Sequence, residues 1–492
     1  MNPIFEHLGL PERSKKPRYS GLTMVLDKCL GLTGTQDLIE TAAGYVDVVK
    51  LGWGTCALYP EDVLRRKIKM LRDAGIDVCP GGTFFEIAFE RGDVPGTFRL
   101  AREAGFNAIE ISNGIHPRMT RQDKLEMIRT AASLGFHTTS EVGKKLPQED
   151  GAMSYSQRIA EIREDLAAGA RKVIMEARES GTVGIFKPDG KINSALAYEL
   201  FQHVDPDSIL WEAPLKEQQV WLLRQLGPEV NIGNVPPSDV FSLESMRHGL
   251  RADTFRDHCK DTRRVFLELG VGGALRAQRR GDVIVVVDAL RASATIVQCL
   301  EKGAREIIPV VSAQDLQGEV TIGERGGAKL PNADFGNSPL EITEAVIRGK
   351  SVVISTTNGT ECFRTAKGPK SVVLVGTVTN CTAVAQAAVE LAALRGSNIS
   401  LVAAGRNNLP AIEDRAAVTE IMKRIGNVTA CGTLEPCFSD NLERDFLESD
   451  SGVNLVSLGY AEDVIWCSKV DLSGAVPIFD GECITRYQGA QA

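Results

Sequence analysis

Histidine is missing from the second half of this chain. All six, His7, His116, His137, His203, His248 and His258, fall before residue 260 of the 492, so imidazole serves the later half neither as base, nucleophile nor metal ligand. Long apolar runs are missing too: none approaches the roughly 18 residues a membrane span needs, and the start, MNPIFEHLGLPERSKKPRYS, has no apolar signal core. No basic run exceeds a few residues and the net charge is -8, which argues against nucleic acid or a membrane surface as partner. The eleven cysteines show no CxxC pair or metal-finger spacing, and an odd count in a long chain fits reduced, partly buried thiols. What is left is a cytoplasmic globular protein, 43% hydrophobic and 24% charged, too long for one core. Two or more domains are expected, with homo-oligomer formation left open, and any anionic substrate must be met by local charge.

From Leu22 to about residue 250 one unit repeats: a short apolar strand, a polar or glycine-rich turn, an amphipathic helix. The strands read LTMVL (22–26), VDVVKLG (46–52), IDVCP (76–80), AIEIS (108–112), HTTSEV (137–142), KVIMEA (172–177), SILWEA (208–213) and VNIGNV (230–235). Eight strands alternating with helices at about 30-residue spacing predict an α/β fold of the (β/α)8 TIM barrel kind over 1–260. Residues 261–281 have linker composition, with a Gly-Gly and a basic run, and the segment after Val265 reads as helix. A second domain then spans 282–492. Its strands VIVVV (283–287), EIIPVV (306–311), SVVIS (351–355), SVVLVG (371–376) and ISLVAAG (399–405) are near-continuous Val/Ile runs, which predict a largely parallel α/β sheet buried on both faces.

Ligands of such sheets and barrels sit at the carboxyl ends of the strands. In the first half those ends carry Asp27 and Lys28; Lys50; Gly81-Gly82-Thr83 and Glu86; Glu110, Ser112 and Asn113; Glu141, Lys144 and Lys145; Glu176, Arg178 and Glu179; Glu212; Asn231 and Asn234. Taken singly, each of them reads first as a structural or solvated rim residue, but eight polar strand ends together reverse that and suit a divalent metal and a multiply charged anion.

The segments LTMVLDK, VVKLGWGT, PGGTFFE, IEISNG, SEVGKK, MEARESG, WEAP and SLESMRHGLRADTF resemble phosphosulfolactate synthase, a barrel enzyme that adds sulfite to phosphoenolpyruvate with Mg²⁺. Asn113 stands where that family is expected to carry an acidic residue, which leaves Glu110 as the site residue there. The resemblance implies three anionic groups in one pocket. Lys50, Arg178, Lys144 and Lys145 would offset their repulsion, Asn234 would join them in binding substrate, and Glu141, Glu176 or Glu212 would hold the metal. Carbon 2 must also gain a proton. Lys145, with Lys144 second, is the expected donor, its pKa lowered by cationic neighbours.

The second half opens with VVVDALRASATI, where a buried strand ends at Asp288 and Arg291, Ser293 and Thr295 begin a helix, an arrangement suited to phosphate or to an ordinary cap. Cys299 and Arg305 match a CxxxxxR phosphatase pattern, but lie late in a helix with Glu301 between them. No DxDx[TV] pair occurs, so a carboxylate-held Mg²⁺ and in-line displacement by water remain. VVVDALRASATI, GERGGAKLPNADFGNSPLE, STTNGT, VGTVTN, AGRNNLPAIED, VSLGYAEDVIWCSKVD and VPIFDG look like 2-phosphosulfolactate phosphatase, a Mg²⁺ enzyme that hydrolyses the synthase's product. That likeness implies Asp288 and Arg291 as catalytic residues, Glu324, Glu413 and Asp414 as metal ligands, and Arg325, Lys329, Thr357, Asn358 and Arg406 as substrate contacts. An initial strand usual in that family is not evident here, and AIED lacks the small Gly and Cys positions expected in the following helix.

The expected protein is therefore a bifunctional enzyme, taking phosphoenolpyruvate and sulfite to phosphosulfolactate and then to 3-sulfolactate and phosphate, on the way to coenzyme M or to sulfolactate itself. Two rivals stand beside it. One is a Mg²⁺ barrel lyase for another phosphoenol acid with an attached phosphomonoesterase; the other makes the second half a non-catalytic phosphoester-binding domain.

Overall fold

The computed structural model describes residues 10, 13–255, 264–356, 359–406, 409–426 and 430–489. The chain divides into two units, 1–256 and 257–492.

In the first unit the short Val/Ile/Leu runs form eight parallel strands: β1 (Thr23–Asp27), β2 (Val48–Leu51), β3 (Asp77–Cys79), β4 (Ala108–Ile111), β5 (His137–Val142), β6 (Lys172–Met175), β7 (Ile209–Glu212) and β8 (Ile232–Val235). Their order, β3-β2-β1-β8-β7-β6-β5-β4, is that of a nearly closed barrel. At the seam between β3 and β4 side chains replace the backbone ladder. Asn107 Oδ1 accepts Val78 N at 3.0 Å and Asn107 Nδ2 donates to Asp77 Oδ1 at 2.6 Å, while Gly82 N donates to Glu110 Oε1 at 2.7 Å. Helices cover the outside because their apolar stripes recur at helical period; in Glu61–Asp73, Ile68 and Leu71 face inward. Pro60 caps that helix and Gly75 leaves it at φ 70°, a conformation that suits a residue without Cβ.

The second unit is built on one eleven-stranded sheet: β9 (Val265–Leu269), β10 (Val283–Val287), β11 (Glu306–Pro309), β12 (Val320–Arg325), β13 (Ala328–Lys329), β14 (Ser351–Ser355), β15 (Val372–Val375), β16 (Ile399–Ala403), β17 (Ala430–Gly432), β18 (Pro477–Phe479) and β19 (Ile484–Arg486), ordered β13-β12-β14-β11-β19-β18-β15-β10-β16-β9-β17. Two parallel blocks flank an antiparallel hairpin, β18–β19, which pairs β15 on one side and β11 on the other. The sheet is thus mixed rather than simply parallel.

Two expectations are corrected here. The initial strand is present: Val265–Leu269 pairs in parallel with β16 and β17. The stretch read as linker, 261–281, is therefore structured from residue 264 onward, since Gly270–Arg280 forms a helix behind that strand. VFLELGVGGAL has a helical period on its own; pairing with residues more than 130 positions away makes its first half a strand.

Candidate active sites

At the barrel mouth, Lys50 reaches from β2 across to β4 and β7, with Nζ 3.0 Å from Glu110 Oε2 and 3.0 Å from Glu212 Oε1. Lys145, just past β5, places Nζ 3.2 Å from Glu141 Oε1, 3.8 Å from Glu176 Oε2 and 2.9 Å from Thr83 Oγ1. All four glutamates are buried. Ser112 Oγ lies 2.7 Å from Glu141 Oε1 and 2.8 Å from Glu86 Oε1. Glu86 is occupied by the backbone N–H groups of Gly114, Ile115 and His116, which marks it as a loop anchor.

The protonation states follow from crowding. Burial alone would lower the Lys50 ammonium, but Glu110 and Glu212 more than reverse that and hold it well above its usual value. Lys145 is likewise raised, burial being overcome by Glu141 and Glu176. This corrects the expectation of a lysine lowered by cationic neighbours: its neighbours are carboxylates. Glu141 is held down to about 2, because Lys145 and Lys50 outweigh burial. Burial, then the charges of Glu141 and Glu212, push Glu176 well up.

The other predicted barrel residues take different places. Arg178 is exposed at the rim, in the left-handed region at φ 63°; its N–H donates to Glu176 Oε1 and its Nη1 to Lys145 O, both at 2.6 Å. Asn234, at φ 56°, is buried, with Nδ2 toward Arg178 O and Oδ1 without a hydrogen-bond partner. With Trp53, just past β2 at φ 56°, three non-glycine residues at the barrel's strand ends lie in that region, strain of the kind held at functional sites. Lys144 turns away, donating from Nζ to Asn113 O at 2.8 Å. Asp27 is taken up by Lys67 at 2.5 Å, and Asn231 ties Leu22, Asp207 and Ile209 together. Thr83 and Ser112, read only as strand-end polarity, contribute the hydroxyls that meet Lys145 and Glu141.

Among the described residues the ion pairs to Glu110, Glu141, Glu176 and Glu212 come from Lys50 and Lys145, so four buried carboxyls share two ammonium groups and the crowding favours a retained proton on Glu176. No three acidic, histidine or cysteine side chains among the described residues stand ready as a ligand set. The crowded carboxyls, whose retained proton a cation would replace, the all-oxygen donors and the unpartnered Asn234 Oδ1 nonetheless fit a hard divalent cation, since Mg²⁺ commonly takes one or two carboxylates and completes its shell from substrate and water.

In the second unit, Asp288 directly follows β10 and β12 ends in a hairpin whose turn is Gly326-Gly327, at φ 61° and 89°. Both turn residues lie in the left-handed region that a tight hairpin requires. Asp288, Glu324, Arg291, Asn337 and Arg406 line a cavity of about 270 Å³. Burial first, then Glu324 and Glu413, push the Asp288 carboxyl up to about 7. Asp414, buried beside it, is raised further for the same reason, with Asp288 and Glu413 adding to burial. Its oxygens accept Ala289 N at 2.7 Å and Gly405 N at 2.8 Å, so it ties together the loops after β10 and β16. Asn337 Oδ1 is buried without a hydrogen-bond partner. Crowded carboxylates and a spare amide oxygen again fit Mg²⁺.

The GERGGAKL hairpin divides its charges between its faces. Glu324 faces the cavity. Arg325, the next residue on the strand, points the other way and donates from Nη2 to Val311 O and Ser355 Oγ, both at 3.0 Å. Lys329 is exposed and holds Asp334 O at 2.6 Å. Neither Arg325 nor Lys329 lines the cavity: Arg325 follows Glu324 on the strand and so projects to the opposite face, while Lys329, which pairs across from Glu324, is drawn aside by Asp334 O; Arg291 and Arg406 supply the cationic groups there instead. Thr357 and Asn358 lie outside the described residues. Asp463 and Tyr460, which pack on Arg291, were not singled out from the sequence. A larger cavity of about 590 Å³ lies between the helices Val94–Ala104 and Arg121–Ser133 on the barrel's outer side and is lined by none of the strand-end residues.

The geometry defines the class: an α/β protein carrying a carboxylate- and lysine-lined TIM-barrel mouth and, in a second unit, an acidic cavity with arginine at the strand ends. The comparisons narrow it. Residues 11–253 match the family model for (2R)-phospho-3-sulfolactate synthase, and residues 273–482 that for 2-phosphosulpholactate phosphatase. A phosphosulfolactate synthase of Methanothermobacter thermautotrophicus is 44% identical over 245 residues, covering 50% of this chain and 95% of the relative. A 2-phosphosulfolactate phosphatase of the same organism is 36% identical over 207 residues, covering 40% of this chain and 85% of the relative. A probable 2-phosphosulfolactate phosphatase of Carboxydothermus hydrogenoformans is 32% identical over 208 residues, covering 39% and 84%. The chain belongs to both enzyme families, joining a phosphosulfolactate synthase domain to a 2-phosphosulfolactate phosphatase domain. No helix among the described residues is long and apolar enough to cross a membrane.

Proposed function

We propose that the barrel adds sulfite to phosphoenolpyruvate and that the second unit hydrolyses the resulting phosphosulfolactate to 3-sulfolactate and phosphate, each unit using Mg²⁺. The observation that carries the first half is the seating of Lys145 between Glu141 and Glu176, at a mouth where four buried carboxyls share two ammonium groups. Sulfite sulfur bonds to the CH₂ carbon of phosphoenolpyruvate, the C=C electron pair moves onto carbon 2 and its carboxylate, and carbon 2 then takes a proton. Glu141, Glu176 or Glu212 would hold Mg²⁺, which would supply electrostatic stabilisation of that enolate-like dianion. Lys145 stays protonated, so it carries the proton that carbon 2 needs. Lys50 keeps Glu110 and Glu212 compensated and presents positive charge beneath the anion. Arg178 at the rim meets the outer anionic group of the substrate.

In the second unit water attacks phosphorus and the bond to the carbon 2 oxygen breaks, with one proton leaving the water and one reaching the alkoxide. Mg²⁺ held by Glu324, Glu413 or Asp414 would neutralise phosphoryl charge. Asp288, which lines the cavity beside Glu324, is placed to handle those protons, and Arg291 and Arg406 to take the anion. The single experiment is carbon and phosphorus NMR of the purified chain with ¹³C-labelled phosphoenolpyruvate, sulfite and Mg²⁺. Transient phosphosulfolactate followed by sulfolactate and phosphate is expected, and loss of phosphoenolpyruvate without sulfite would sink the reading.

A further inference from the structure

Arg291 is held on three sides. Its Nη1 lies 2.6 Å from Asp463 Oδ2, its Nη2 donates to Gly327 O at 2.7 Å, and its guanidinium carbon lies 4.3 Å from the Tyr460 ring centre. Asp463 is fixed in turn, its Oδ1 accepting Ser338 Oγ at 2.8 Å. Arg291 and Asp463 are both buried to within 3% of full burial. A buried ion pair is seldom the cheapest way to stabilise a fold, because desolvation offsets most of its attraction. Here three of the ties come from distant parts of the chain: the hairpin turn after β12, the PNADFGNSPLE loop and the helix that starts after Tyr460. They act on Arg291 directly or, from Ser338, through Asp463, and Arg291 also lines the cavity.

We propose that Asp463, Ser338 and Tyr460 are positioning residues that lock the Arg291 guanidinium with its remaining N–H groups toward the cavity, so that it receives the substrate's phosphoryl group in a fixed, planar fashion. The proposal rests on the reading of this cavity as the phosphatase site. A fixed guanidinium loses little freedom when it binds an oxyanion, and its fork geometry matches two phosphoryl oxygens. Position, rather than the charge of Asp463, is the property at work. Asn at 463 can still accept from Arg291 and reach Ser338, whereas Ala cannot.

The test uses the full chain with Mg²⁺ and phosphosulfolactate supplied directly, measuring KM and kcat for phosphate release, with sulfite-dependent loss of phosphoenolpyruvate as the internal control. Asp463→Ala is expected to raise KM about tenfold while kcat falls by less than about threefold. Asp463→Asn should stay within about threefold of the parent KM, as a conservative rescue. If Arg291→Ala raises KM but Asp463→Ala leaves it within about twofold, Arg291 needs no support and the proposal is overturned. If Arg291→Ala and Asp288→Asn both leave phosphate release unchanged, the cavity is not the phosphatase site and the proposal falls with that reading. Should Asp463→Ala lose the second unit's fold, Ser338→Ala carries the test: a KM rise of about threefold supports the relay, and an unchanged KM overturns it.

Discussion

The ammonium of Lys145 stands 3.2 Å from the carboxylate of Glu141, buried at the barrel mouth. Removing one member of that pair has two separable consequences. Lys145→Met deletes the proposed proton donor and should lower sulfite-dependent consumption of phosphoenolpyruvate by about 10²- to 10⁴-fold, the usual worth of a positioned acid. Phosphate release from added phosphosulfolactate should be unchanged, since it occurs in the other unit. Phosphorus NMR of both reactions on one preparation checks this; near-normal turnover of phosphoenolpyruvate would remove Lys145 from its role.

Lys50 is the barrel's more deeply placed cation, bound by Glu110 and Glu212 at equal distance. Lys50→Met leaves two buried carboxylates without it, so we expect a loss of about 3–5 kcal/mol in barrel stability in addition to lost synthase activity. Lys145→Met, whose side chain is partly solvent-exposed, should cost less. Urea unfolding followed by the barrel tryptophans Trp211 and Trp221 measures the difference, and equal stability of the two variants would contradict the assignment of Lys50 as the keystone of the mouth.

Much of this arrangement could be read from residue order. The eight barrel strands announce themselves because each Val/Ile run is followed by a polar turn and a helix with its own period, all local signals. Asp288, Glu324 and Arg291 follow strand or hairpin ends in the same way. Val265–Leu269 escaped because nothing local separates VFLEL from a helix start; its partners β16 and β17 are far along the chain. The Arg325 and Lys329 assignments failed for a subtler reason. GERGGAKL folds as a hairpin, which sorts successive residues by face and sends Glu324 in and Arg325 out, while Lys329, opposite Glu324, is drawn aside by Asp334 O. Gly326-Gly327 was the available clue. Asp463 escaped because its role is carried through Arg291, and no spacing in the sequence links the two.

If each unit holds its own Mg²⁺, carboxylate substitutions should separate the activities. Glu176→Gln should abolish addition of sulfite while leaving hydrolysis of supplied phosphosulfolactate intact, and Asp288→Asn should do the reverse, letting phosphosulfolactate accumulate. A chelator should stop both and added Mg²⁺ restore both. Isothermal titration of Mg²⁺ into parent, Glu176→Gln and Glu324→Gln checks the sites without turnover: two classes of site are expected in the parent and one in each variant.

The crowding around Asp288 gives a stability signature in metal-free protein. Burial, Glu324 and Glu413 raise its carboxyl from 3.8 to about 7, so between about pH 4 and 7 the folded unit retains a proton that the unfolded chain has released. Stability therefore falls as pH rises through that window and levels off above it. Asp288→Asn carries no such ionisation, so its advantage over the parent should grow from pH 5 to 8, to at most about 4 kcal/mol. Hydrogen exchange of the β10 peptide in chelator reads the local opening free energy directly. Repeating it with saturating Mg²⁺ should flatten the difference, because a cation beside Asp288, Glu324 and Glu413 removes the repulsion that raised the carboxyl. A gap that stays constant with pH would mean Asp288 is ionised throughout and is not the crowded group at the cavity floor.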